Sequence, residues 1–132
     1  VRFAGYVAVF DREDRGGDVI RKGAFAGELS KPVPLLWQHD VTCPIGEVEM
    51  LAEDDRGLRI IGRVADDAGV VAGSGLSFGY RVLAARDGTK RELTALELIE
   101  VSVVNFPMQP LARVHAVQIQ NSDFTKENMH GL

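Results

Sequence analysis

Asp87-Gly88 stands between two strand-like runs, residues 78–85 and 90–105, and constrains the fold more than any other feature of the chain. Asp-Gly supplies the positive-φ backbone that a tight hairpin turn needs, so the two runs read as antiparallel partners. Pro107 and Pro110 close the second run. Another hairpin is predicted over residues 45–52 and 58–64, joined by Glu53-Asp-Asp-Arg-Gly57. In the latter strand Leu58 and Ile60 alternate with Arg59 and Ile61, which leaves its inner face open. Residues 2–10 (RFAGYVAVF) read as a strand, and the charged, glycine-bearing residues 11–18 as a surface loop. Residues 23–29 predict one or two helical turns, stopped by Pro32; Pro32 and Pro34 then favour extended chain over 33–39. Many short strands with few helical segments predict a mostly β fold, an antiparallel barrel or sandwich with small peripheral helices.

Length and composition bound the rest. At 132 residues the chain makes one domain, with an ordinary apolar fraction of 45%. We assign 1–114 to it and 115–132, which turns polar, to a tail or short peripheral helix. The net charge of −4 argues against nonspecific nucleic-acid binding. Cys43 is the single cysteine, which excludes an internal disulfide or a multi-cysteine zinc site and fits a reducing compartment. No apolar run reaches membrane-spanning length, and the N-terminus lacks the layout of a signal peptide, so no membrane partner is expected. The first residue, Val1, reads as a processed or trimmed start.

Chemistry points to Ser74-Gly-Leu-Ser-Phe-Gly-Tyr80. Glycines there allow unusual dihedrals and close approach of another chain, as a nucleophilic hydroxyl requires. A serine nucleophile needs a base and a group to orient that base. The histidines are His39, His115 and His130. His39 ends an apolar strand, where a ring can face a cleft; His115 and His130 lie in or near the polar C-terminal stretch. Period-two alternation puts Leu98, Glu100, Ser102 and Val104 on one face and Ile99, Val101 and Val103 on the other. Glu100, among apolar neighbours, needs a partner. Arg81, Arg91 and the His39 imidazole all fit that need.

Six ordered segments match one family: 5–10 (GYVAVF); 17–20 (GDVI) with 23–25 (GAF); 35–40 (LLWQHD); 44–48 (PIGEV); 75–82 (GLSFGYRV); and 100–104 (EVSVV) followed by Phe106-Pro107 and 110–114 (PLARV). Together they resemble the HK97-type prohead maturation proteases, capsid-maturation serine proteases of phages and of domesticated phage-like particles such as gene transfer agents. The resemblance implies a closed antiparallel β-barrel of the herpesvirus assembly-protease type, ringed by helices. It implies Ser77 as nucleophile, His39 as general base and Glu100 as the orienting acid. An oxyanion hole should follow, from the Gly79 amide or the chain beside Ser77, with Arg81 or Arg113 adding positive charge. No metal or organic cofactor is expected, because phosphate-binding and metal-ligand motifs are both missing.

The implied substrate is the major capsid protein, cut in its scaffolding segment, and then the protease itself. The implied state is a homodimer, in the bacterial host cytoplasm inside the precursor capsid. The chain departs from the family ahead of the serine, where family members normally carry a helix. Residues 65–75, eleven in all with three glycines, cannot hold an average helix of about 11–12 residues and its connections. That departure supports a second reading, an inactive assembly or scaffold protein that keeps the protease fold. A general esterase fits less well, since the strand-to-helix nucleophile elbow is missing.

Overall fold

The computed structural model describes residues 1–118. Its regular elements are strands: β1 (Arg2–Val9), β2 (Asp18–Ile20), β3 (Pro34–Trp37), β4 (Asp40–Glu53), β5 (Gly57–Val64), β6 (Gly75–Arg86), β7 (Arg91–Val104) and β8 (Val114–Gln118). They form one sheet in the order β2-β7-β3-β4-β5-β1-β8, with β6 on the other edge of β7. Both predicted hairpins are present: β4 pairs with β5 and β6 with β7, each antiparallel. The turn after β4 is held by Asp54, whose carboxylate accepts the N–H groups of Arg56 and Gly57. In β5 the inner face is the one carrying Leu58 and Ile60, both fully buried.

Three expectations are corrected. First, no helix occurs among the described residues. Residues 21–31 make chained i→i+3 turns instead, Ala24 N–H to Arg21, Ala26 to Gly23, Glu28 to Phe25 and Lys31 to Glu28. Gly23, at φ 94°, breaks any helical path, and Glu53 accepts the N–H groups of Gly23 and Phe25 from outside the segment. Second, the sheet is not a closed barrel. The start of β6 meets the chain entering β8 in an isolated bridge, Gly75 to Arg113. From there β8 follows β1 and β6 follows β7, so the two diverge and no ladder among the described residues closes the ring. Third, the sheet is not wholly antiparallel, because β7 pairs in parallel with both β2 and β3.

The strand β8 continues to Gln118, past the boundary expected at 114, because it pairs with Arg2–Ala4 of β1. The tail expected beyond it lies outside the described residues. The core packs Phe3, Val7, Leu35, Leu58, Leu76 and Leu96 against one another. Phe25 pins the turn segment to β6 by an edge-on contact with Phe78, centroids 5.3 Å apart. Burial of such a ring stabilises by about 1.5–3 kcal/mol.

Between Gly79↔Glu100 and Tyr80↔Leu98 the register of β6 and β7 slips by one, leaving Ile99 as an extra residue. This bulge overturns the strict alternation expected over 98–104. Leu98 joins the core while Ile99 turns out, 52% exposed. Past the bulge, Glu100 and Ser102 share the face opposite Val101 and Val103.

Candidate active site

Ser77 is the third residue of β6, inside the ladder rather than ahead of it, directly across from Ser102 of β7. Cross-strand partners point to the same side, so Ser77, Ser102, Gly79 and Glu100 share one face of the β6–β7 pair. The other face sends Leu76, Phe78, Val101 and Val103 into the core.

His39 reaches that face from a tight turn. Trp37 pairs with Asp40, and the two residues between, Gln38 and His39, have φ of 52° and 60°. Two successive positive φ values define a type I′ hairpin turn, which ordinarily takes Asn-Gly. For Gln-His the left-handed backbone costs about 1–2 kcal/mol per residue. β7 holds the turn in place. Gln38 N–H donates to the Val103 carbonyl (2.9 Å), and the Gln38 side-chain oxygen accepts the Asn105 N–H (2.6 Å). The His39 N–H donates to Ser102 Oγ (3.1 Å).

Glu100 is the buried centre of the site, its side chain 7% exposed. Its Oε1 meets His39 Nδ1, and its Oε2 accepts the Ser102 hydroxyl (2.6 Å). Of the partners open to it in the sequence, the imidazole is therefore the one engaged: Arg81 pairs with Glu97, and Arg91 with Asp18. With the carboxylate accepting at Oε1, Nδ1 is the ring nitrogen that donates, and in the neutral imidazole Nε2 then carries the lone pair.

Ser77 and His39 open onto the same cleft, about 490 Å³ in volume. Its walls include Tyr80, Phe106, Met108 and Arg15. Phe106 is 81% exposed, an apolar surface presented beside the serine. The hydrogen bonds of His39 go to Ser102 and Glu100, and none joins it to the Ser77 hydroxyl.

Gly79 lies opposite Glu100, and a Cβ there would stand 2.6 Å from Glu100 Oε1. Arg81 is bound to Glu97, and Arg113 donates to the Pro110 and Gly73 carbonyls; neither lines the cleft. His115 stacks edge-on against Tyr6, and His130 lies outside the described residues. Two residues of the site carried no clear sequence signal. Arg15, in a loop whose charges read as solvated, is the arginine that lines the cleft. Ser102 was placed beside Glu100 by alternation, but its two bonds depend on where His39 arrives.

The sequence profile of the Caudovirus prohead serine protease family matches residues 1–127. The chain belongs to that family. The prohead protease of Enterobacteria phage HK97 is 29% identical to it over 136 residues, covering 88% of this chain and 60% of that protein. The chain thus spans about three-fifths of that relative's length. A solved structure of varicella-zoster virus protease is also similar, at 17% identity and a TM-score of 0.44, over 74% of this chain and 56% of that one. Within the caudovirus prohead serine protease family, the segment ahead of Ser77 is here a loop: residues 65–74 contain turns closed by Ala68 N–H to Ala65 and Ser74 N–H to Val71.

Proposed function

We propose that this chain is a serine endopeptidase that cuts the scaffolding segment of the major capsid protein within the precursor shell, and then its own chain. The observation that carries the reading is that Ser77 and His39 line one cleft, with buried Glu100 bound to Nδ1 of the imidazole. Nε2 is then free to take the Ser77 proton as Oγ attacks the scissile carbonyl. His39 returns that proton to the leaving amine. Water, deprotonated by the same nitrogen, then attacks the acyl-enzyme and releases the acid. Glu100 holds the ring in the tautomer that works as a base and steadies the imidazolium formed in each half.

The oxyanion needs donors close to Ser77. A backbone N–H on β6 supplies one. Arg15 is favoured over Arg81 and Arg113 as the nearby cation, because it lines the cleft and makes no ion pair among the described residues. The exposed ring of Phe106 and the side chain of Met108 supply an apolar wall for the substrate chain.

Co-expression with the neighbouring major capsid protein, wild type beside Ser77→Ala, tests the reading by intact mass. Loss of an N-terminal capsid segment only with Ser77 present supports it. Normal processing by Ser77→Ala sinks it. Association without any cutting by either form favours the inactive scaffold, and the short loop at 65–74 becomes the suspect.

A further inference from the structure

We infer that Ser102 is a positioning residue that fixes both the backbone and the ring of His39, and that its hydroxyl sets the direction of the hydrogen bonds in the site. This rests on the protease reading of Ser77, His39 and Glu100. Ser102 is fully buried, and its Oγ bonds both the main chain of His39 and the carboxylate that holds the His39 ring. It accepts the His39 backbone N–H at 3.1 Å and donates to Glu100 Oε2 at 2.6 Å.

The polarity of this chain is forced by its first member. A backbone N–H can only donate, so the Ser102 oxygen must accept there and turn its single hydrogen toward Glu100. Oε2 is thereby kept as an acceptor, and Oε1 is left to take Nδ1–H of His39. One hydroxyl therefore links the main chain of residue 39 to the carboxylate that orients its ring. The linkage also bears on the turn. His39 sits at φ 60°, where a non-glycine residue is held only by its surroundings, and the Ser102 bond is part of that hold. Without it, the turn can relax toward ordinary dihedrals and carry Nε2 away from Ser77. A displacement of about 1 Å in such a group costs on the order of 10²-fold in rate.

The test uses Ser102→Ala and Ser102→Thr, with a peptide spanning the cut found by intact mass. Ser102→Ala is expected to lower kcat about 10- to 100-fold with KM little changed; Ser102→Thr, which keeps the hydroxyl, recovers most of the loss. The far-downfield proton resonance of a histidine Nδ1–H bound to carboxylate should persist in wild type and Ser102→Thr and vanish in Ser102→Ala. A purely packing role would lower stability and leave kcat and that resonance intact. An alanine variant with full kcat, or a threonine variant no better than alanine, overturns the inference. Should Ser102→Ala not fold, amide exchange in the wild type decides: His39 N–H protected supports the link, and exchange at the rate of an open turn refutes it. If wild type cuts nothing, the protease reading falls, while the resonance and the amide protection still decide whether Ser102 positions His39.

Discussion

Gly79 is the expected source of an oxyanion-hole amide, and its lack of a side chain also makes room for Glu100. Facing Glu100 across the ladder, it leaves space for a carboxylate that must lie flat against the sheet to reach His39. An added methyl would stand 2.6 Å from Oε1 and 3.1 Å from Cγ of Glu100. Since that carboxylate is bound at both oxygens, it has no slack with which to give way. Gly79→Ala should therefore fold, by circular dichroism, while kcat drops by about 10²-fold; undiminished turnover would show that Glu100 tolerates displacement. The proposed trio of Ser77, His39 and Glu100 is singled out in the sequence by its motifs. The sequence left the contact between the last two open beside Arg81 and Arg91, because the choice depends on a type I′ turn that Gln-His does not advertise. Arg15 was hidden for another reason: a charged loop reads as solvated whether or not one of its members turns into a cleft.

The segment 105–110 owes its position to a side chain. Gln109 is 4% exposed and pairs through its amide with both backbone groups of Val9, accepting the N–H and donating to the C=O, each at 2.8 Å. It thus docks an irregular stretch onto β1 as another strand would, and in doing so aims Phe106 and Met108 at the cleft. Gln109→Ala leaves a buried donor and a buried acceptor without partners, a loss of about 2–4 kcal/mol in total. Urea denaturation should show that loss, together with a raised KM from the misplaced apolar wall; an unchanged denaturation midpoint would mean that water replaces the amide. Among elements, the hairpins were legible from Asp87-Gly88 and from the acidic turn ending at Gly57. The Ile99 bulge was not: an uninterrupted apolar run carries no mark of where its alternation slips. The turns at 21–31 were misread as helical because the deciding contact, Glu53 on Gly23 and Phe25, comes from a distant strand.

Taken together, the described residues form an open mixed sheet with β7 as its hub, bonded to β2, β3 and β6. A mostly β character was legible in the frequency of turn signals, but closure and strand direction are decided by pairings that local sequence does not encode. One end of the hub is clamped by Asp18 of β2, which binds Arg91 through two hydrogen bonds. That bond to Arg91, opposed by burial, holds the Asp18 carboxyl below its usual range. A carboxylate so shifted stabilises the fold fully above its unfolded value, about 3.9, and loses the contribution as pH falls through the lower folded value. Wild type should thus outlast Asp18→Asn in urea at pH 7, with the gap narrowing below about pH 4; a gap that stays constant down to pH 2 would place the stabilisation elsewhere.

The parallel joint between β3 and β7 has one further consequence, in time rather than in space. The β6–β7 hairpin brings Ser77, Glu100 and Ser102 together through a local turn, and it can form early. His39 lies 61 residues from Glu100 along the chain and joins them only when β3 docks. Contacts at such separation must overcome loop closure before they stabilise anything. On the proposed function, a chain still folding therefore holds the serine apart from its base until β3 pairs with β7.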